Sequence, residues 1–211
     1  MWTIRFILIG MLVTIVCVEW RLLRYRSRYE SLLENRIFNI VLGIISLSLS
    51  YLIVILPPAG GGNPRSAWLE HPSVRVGFAA IGSALISVGV LLPLVTLKQR
   101  KSIGLQDVKG GLITSGVYRY FRHPIYTGII WISLGLALVT RNPDGLLAFP
   151  AIFVINLVQA ISEERNDVGV RFREQYQAYK QTTRMFGPIW IWSVVVVIIL
   201  LLVGFVWSQA T

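Results

Sequence analysis

The chain has one cysteine, two histidines and only ten acidic residues in 211. A single cysteine, Cys17, permits no intramolecular disulfide and no cysteine-built metal site. It lies in an apolar run and reads as a small core or lipid-facing residue. The two histidines, His71 and His123, stand in no strong ligand spacing with carboxylates, so no metal is expected. There is no Gly-rich phosphate loop, and no Ser-His-Asp set can be read from residue order. Charge is sparse as well: 14% of residues are charged, against about 25% in a soluble average.

What the chain has is apolar length. It is 55% hydrophobic, and runs long enough to span a bilayer recur along it. They cover about Ile4–Trp20, Ile37–Leu56, Val76–Leu97, Ile125–Thr140, Leu146–Ile161 and Ile189–Trp207. The first lacks a small-residue cleavage site and reads as a retained span. Pro57-Pro58 and Gly60-Gly61-Gly62-Asn63-Pro64 mark a turn-rich loop. Arg141-Asn-Pro-Asp-Gly145 is a turn by composition, so the two short runs beside it form a tight hairpin. The second of them runs on into a polar segment from Ser162. Ala79, Ser83 and Ser87 recur every four residues, a small-residue stripe suited to close helix packing. The expected fold is therefore all-α, a polytopic membrane protein of about six apolar helices. Three sections are expected: membrane helices in 1–97, a core in 98–187 and a last helix in 188–211.

The net charge of +10 is unevenly placed. Segments 21–36, 98–122 and 162–187 carry 5, 6 and 5 of the 20 Lys and Arg. The opposite side carries Arg5, Arg65, Arg75 and Arg141. The positive-inside rule then turns the three basic loops toward the cytoplasm and both termini away from it. The basic charge thus answers to topology and to membrane lipids, and no nucleic-acid partner is expected.

One stretch stands out between the third and fourth spans: Leu112-Ile-Thr-Ser-Gly-Val-Tyr-Arg-Tyr-Phe-Arg-His-Pro-Ile-Tyr-Thr-Gly128. Pro124 disfavours helical backbone at His123, so Arg122 and His123 are held at a bend. Gly116 and Gly128 permit tight backbone geometry or close approach of a partner. Taken alone, the stretch also reads as an interfacial anchor of Arg and Tyr. The hairpin changes that reading, because it brings the ends of its two helices together. Arg122 and His123 then neighbour Glu163 and Glu164 across about forty residues of sequence. Asn156, Gln159 and Glu163 share one helical face, and polar groups within a span usually face the bundle interior or a cavity. Interhelical hydrogen bonding is the plainer alternative for them. Phe172, Tyr176 and Tyr179 follow at i, i+4 and i+7, one face of a helix. His71-Pro72 repeats the His-Pro pair on the other side and reads as a loop.

The sequence Leu112-Ile-Thr-Ser-Gly-Val-Tyr-x-x-Phe-Arg-His-Pro-x-Tyr-x-Gly128, then Asn142-Pro143, Glu163-Glu164 and Phe172-x-x-x-Tyr176-x-x-Tyr179, resembles the C-terminal half of isoprenylcysteine carboxyl methyltransferases. The Arg-His-Pro-x-Tyr and Glu-Glu elements are shared with phospholipid N-methyltransferases and, more loosely, with membrane sterol reductases. The resemblance implies S-adenosylmethionine as cofactor, held at the cytoplasmic face without a Rossmann fold. By position it implies cofactor contacts from His123, Pro124, Tyr126, Glu163 and Glu164, with Gly116 and Tyr118 as further contacts. It places Arg122 at the acceptor. Asn156 and Gln159, from the polar face of their own helix rather than from the resemblance, are the candidates to line the substrate side. Two positions depart from the pattern: Arg173 stands where the family has Gly, and Val168 where Leu is common. Residues 1–95 show no match.

A carboxylate acceptor is ionised at neutral pH and needs orientation rather than a base, which an arginine fork can supply. An amine acceptor would first have to lose a proton. This favours carboxyl O-methylation of a prenylated, lipophilic substrate over phospholipid N-methylation. A nicotinamide-dependent reductase would need a phosphate-binding site that the sequence does not show, and a non-enzymatic scaffold or transporter leaves the convergent motifs unexplained.

Overall fold

A computed structural model describes residues 2–25, 27–29, 36–56, 70–99, 111–194, 196–197 and 200. The turn-rich loop with Arg65, the basic stretch 100–110 and most of the last predicted span lie outside the described residues. Within them the chain is helical: α1 (Trp2–Arg24), α2 (Arg36–Ile55), α3 (Pro72–Gln99), a 3-10 turn (Gly116–Arg119), α4 (Pro124–Thr140), α5 (Pro143–Glu163), a π turn (Glu164–Val168) and α6 (Gly169–Thr182). Residues 189–194 begin the last helix. Three segments are long and apolar enough to cross a membrane, namely Thr3–Arg24, Pro72–Gln99 and the continuous Asp144–Thr182. Val41–Ile55 and Pro124–Thr140 are shorter apolar helices.

The hairpin forms as its turn residues dictate. Pro124 and Pro143 open α4 and α5, where a missing N–H costs nothing. Arg141 closes α4 in the left-handed region (φ 49°), its N–H reaching the Ala137 and Leu138 carbonyls. Asn142 then caps the start of α5 in extended backbone.

The small-residue stripe expected at Ala79, Ser83 and Ser87 is exposed. The close packing falls on the neighbouring face of α3. There Gly82 and Gly89 meet Gly135 and Gly128 of α4. A methyl added at Gly82 would lie 2.7 Å from the Gly135 carbonyl oxygen, and one at Gly128 would lie 2.6 Å from that of Gly89. Small residues appear on both faces of α3, and only the pairing with α4's glycines decides which face is used. Around this seam Phe78, Leu85, Ile130, Trp131 and Leu134 form the main core. A second core of Leu12, Val16, Leu49, Ile53 and Ile152 joins α1, α2 and α5.

At one pole a buried polar clasp holds these helices together. Arg5 of α1 has no exposed surface. Its Nη1 donates to Asp144 at 3.0 Å, its Nε to the Ile53 carbonyl at 3.2 Å and its Nη2 to the Leu56 carbonyl. Asn142 donates to the Val54 carbonyl at 2.8 Å. The last turn of α2 thereby finds partners for carbonyls that no helix bond can satisfy. Exposed Glu70 pairs with Arg141 at 3.7 Å at this same pole, and His71 sits beside it as a loop residue.

At the opposite pole α6 does not run straight. Arg173 has φ 36° and ψ −110° inside it. The expected single face of Phe172, Tyr176 and Tyr179 is therefore broken between the first and second aromatic. The three still share one cluster with Tyr118 and Val168, but a fold-back of the chain brings them there.

Candidate active site

The Leu112–Gly128 stretch is built onto its neighbours by backbone. Gly116 (φ +61°) lies so close to Gln99 at the end of α3 that any side chain would collide with its amide. Gln99 Oε1 accepts the Val117 N–H at 3.1 Å. Tyr118 is fully buried, and its carbonyl accepts the Tyr179 hydroxyl. The bend itself is clamped by the segment after α6. Arg122 N–H donates to the Arg184 carbonyl at 3.0 Å and His123 N–H to the Met185 carbonyl at 3.1 Å. Gly187 (φ +86°) packs directly on the Phe121 ring. The stretch consequently divides between two environments: Tyr118, Phe121, Arg122 and His123 are buried, while Arg119 and Tyr120 are exposed.

The two halves of the predicted site do meet. Glu164 is the hub. Its Oε1 lies 3.1 Å from His123 Nε2 and 3.4 Å from Arg122 Nη2, and its Oε2 lies 3.4 Å from Lys180 Nζ. His123 Nδ1 faces Glu163 Oε2 at 3.4 Å. The Tyr126 ring sits 5.6 Å from the imidazole. Burial by itself would push the His123 pKa down. Hydrogen bonds and charge from Glu163 and Glu164 outweigh that, and the net direction is up. With both ring nitrogens facing carboxylates, the imidazolium is the form that satisfies them.

Arg122 is 7% exposed. One of its nitrogens reaches Glu164, while Nε and Nη1 are buried and find no hydrogen-bond partner among the described residues. Two unmet guanidinium donors are costly away from water, where buried polar groups are normally paired. They are a place for an anionic or carbonyl oxygen.

Lys180 is a site residue that sequence reading missed. Sixteen residues of straight helix would separate it from Glu164 by about 24 Å. The break at Arg173 brings it back to contact. The one available signal was the mismatch of a bulky residue with a family glycine at 173. Glu19 of α1 was missed too. It accepts a hydrogen bond from Gln159 Nε2 at 2.6 Å, so Gln159 faces α1. Asn156 donates to the Ile152 carbonyl of its own helix at 2.8 Å.

Fold and site together define an all-helical membrane protein with a buried arginine–histidine–carboxylate cluster at one pole of the bundle. Residues 78–173 match the family model described as phospholipid methyltransferase. Protein-S-isoprenylcysteine O-methyltransferase A of Arabidopsis thaliana is 35% identical over 78 residues, 37% of this chain and 40% of that protein. The Xenopus laevis protein-S-isoprenylcysteine O-methyltransferase is 36% identical over 70 residues, 33% of this chain and 24% of that protein. The chain thus matches two fifths or less of the length of these relatives. A solved structure of the eukaryotic intramembrane Ras methyltransferase ICMT aligns with a TM-score of 0.42 and 20% identity, over 88% of this chain and 81% of that one. The segment matched by the family model contains the whole Gly116 to Glu164 stretch, and with it Arg122, His123 and the two glutamates of the cluster.

Proposed function

We propose that the protein transfers a methyl group from S-adenosylmethionine to a lipophilic acceptor at the cytoplasmic face of a membrane. The favoured reaction is carboxyl O-methylation of an isoprenylcysteine-like substrate. The observation that carries this reading is Arg122, buried and fixed by Glu164 and the Arg184 carbonyl, with two donors left for a ligand. A carboxylate oriented by that fork needs no proton removed before it reacts. His123, held as a cation by two carboxylates, is poorly suited to act as a base, which agrees with an acceptor that requires none.

S-adenosylmethionine, when bound, supplies a methyl group on a positively charged sulfur. The residues present fit such a donor. Glu163, with its side chain 21% exposed beside the buried pair, suits the ribose hydroxyls and the α-ammonium. Glu164 is already engaged by three cations and acts as the organiser of Arg122, His123 and Lys180. Tyr126 lines the imidazole, and Pro124 fixes the bend that presents it. Tyr118 and Gly116 support the stretch from behind. Asn156 and Gln159 continue the polar face of α5 beyond Glu163. The protein's contribution would be alignment of donor and acceptor and exclusion of water, which together can lower a barrier by several kcal/mol, on the order of 7–11 in well-oriented cases.

The phospholipid methyltransferase match supports amine methylation as the second reading. The test is methyl transfer by the purified full chain to a prenylated-cysteine analogue and to phosphatidylethanolamine. Arg122→Lys is assayed beside the parent, because a point charge cannot reproduce the planar fork. We expect activity on the cysteine analogue and a loss of turnover of roughly tenfold or more in Arg122→Lys, which is about 1.4 kcal/mol. Donor affinity should change little in that variant. By contrast, Glu163→Ala and His123→Ala should weaken donor binding far more than His71→Ala. Turnover of the Lys variant equal to the parent's would remove Arg122 from the acceptor site. Activity on the phosphatidylethanolamine alone would replace the first reading by the second.

A further inference from the structure

The outward half of the Leu112–Gly128 stretch faces a second surface. Arg119 and Tyr120 point away from the cluster, and together with Thr182, Arg184, Ile189 and Trp190 they line a surface cleft of about 410 Å³. Neither guanidinium has an ion pair among the described residues. The other wall is apolar and aromatic: Tyr120 is 56% exposed, Ile189 64% and Trp190 66%. The last helix begins at Ile189, so the cleft lies where the chain turns back into the apolar zone. Two exposed cations lining one cleft with exposed Tyr, Ile and Trp side chains match the two parts of a phospholipid at the interface, a phosphate and the start of its chains.

We infer that this cleft binds the headgroup of an anionic glycerophospholipid. Arg119 and Arg184 hold the phosphate, and Tyr120, Ile189 and Trp190 rest on the acyl-chain side. The site is distinct from the cluster but shares backbone with it. Arg184 offers its carbonyl to the Arg122 N–H, and the Arg119 carbonyl accepts the Thr183 hydroxyl at 3.3 Å. A lipid bridging the two arginine side chains would therefore tie together the two backbone pieces that hold the bend. The apolar rim favours a lipid over free phosphate, which would gain nothing from three exposed hydrophobic side chains.

The test is association of spin-labelled phosphatidylglycerol, relative to spin-labelled phosphatidylcholine, with the full chain in phosphatidylcholine bilayers. The parent should prefer phosphatidylglycerol. A cation in direct contact with the headgroup is expected to contribute roughly fivefold, so Arg119→Gln and Arg184→Gln should each lower the preference by about that factor. Arg24→Gln, which removes an exposed charge from the same pole outside the cleft, should leave it near the parent's. Arg119→Lys with Arg184→Lys should retain most of it, and retention there shows that the fold tolerates changes at both positions. A preference that falls equally for Arg24→Gln would reduce the effect to general surface charge and overturn the site. So would displacement of the labelled lipid by millimolar inorganic phosphate, which would make it a free-phosphate site. Equal association of both lipids with the parent would also sink it. None of these readouts depends on methyl transfer, so the proposed activity and this site can fail separately.

Discussion

Arg173 holds a backbone conformation, φ 36° and ψ −110°, close to the first central position of a type II′ turn, where glycine is the favoured residue. A side chain there costs on the order of 1–3 kcal/mol. The corner is nevertheless kept, because it returns Tyr176, Tyr179 and Lys180 to Tyr118 and Glu164. Arg173→Gly should therefore raise the thermal midpoint in detergent by a few degrees, with about 1 kcal/mol gained. An unchanged or lower midpoint would mean that the Arg173 side chain contributes more than its backbone costs. His123 gives a second residue-scale expectation. Its folded pKa lies above the ordinary value, so its pairing stabilises in full below about pH 6.5, the unfolded value. That contribution is lost as pH rises through the higher folded value. The stability advantage of the parent over His123→Gln should accordingly be greatest near pH 6 and shrink toward alkaline pH. Denaturant midpoints measured across that range check it, and an advantage that grows with pH would contradict a raised pKa. At this scale Arg122, His123, Glu163 and Glu164 were legible because a proline bend and a hairpin turn leave little freedom in where they go. Lys180 and Glu19 were not, since their approach depends on a kink and on a helix pairing that no local pattern encodes.

Helix boundaries followed local chemistry closely. Observed α4, Pro124–Thr140, differs by one residue from the predicted run, because Pro124 and the Arg141–Gly145 turn punctuate it from both sides. The packing between helices was less readable. Ala79, Ser83 and Ser87 recur every four residues and Gly82 and Gly89 stand seven apart, both spacings that keep small residues on one helix face, and hydropathy does not distinguish the two faces. The glycines matter because backbone meets backbone there. A Cβ at Gly135 would stand 2.6 Å from the Gly82 carbonyl oxygen, and that oxygen cannot move without bending α3. Gly135→Ala and Gly128→Ala should therefore each destabilise, by about 1–3 kcal/mol as overpacking does. Gly43→Ala, where nothing lies within 4 Å of the new methyl, should be neutral or slightly stabilising because it removes a helix-interior glycine. Thermal unfolding of the three variants in one detergent distinguishes them. Tolerance of alanine at both 128 and 135 would show that α3 and α4 can separate without loss.

The bundle has two chemically different poles, and the difference bears on its orientation. Arg5 is ion-paired with Asp144, and Arg141 with Glu70, at one pole, so acidic residues there offset the basic ones. The other pole gathers Arg21 and Arg24 of α1, Lys98 of α3, and Arg119, Arg165 and Arg184, with Arg119 and Arg184 exposed and without ion pairs among the described residues. Ion pairs occur at this pole too, Arg122 and Lys180 with Glu164 and Arg171 with Asp167, so the orientation rests on the asymmetry of 16 to 4 in Lys and Arg counted along the sequence. Lys and Arg near span ends are retained on the cytoplasmic side, so the pole with Arg122 and Glu164 should face the cytoplasm. A soluble methyl donor would then reach it from that side, while a lipophilic acceptor arrives through the bilayer. The check is cysteine labelling in sealed vesicles or cells, after Cys17→Ala removes the one native thiol. Cysteine placed at Glu70, which is 67% exposed at its side chain, should react with a membrane-impermeant reagent added outside the cell. Cysteine at Gln175, exposed on α6, should react only after permeabilisation. The reverse pattern would invert the molecule and would turn the site toward a compartment from which cytoplasmic S-adenosylmethionine is excluded, which would undo the donor assignment along with the orientation.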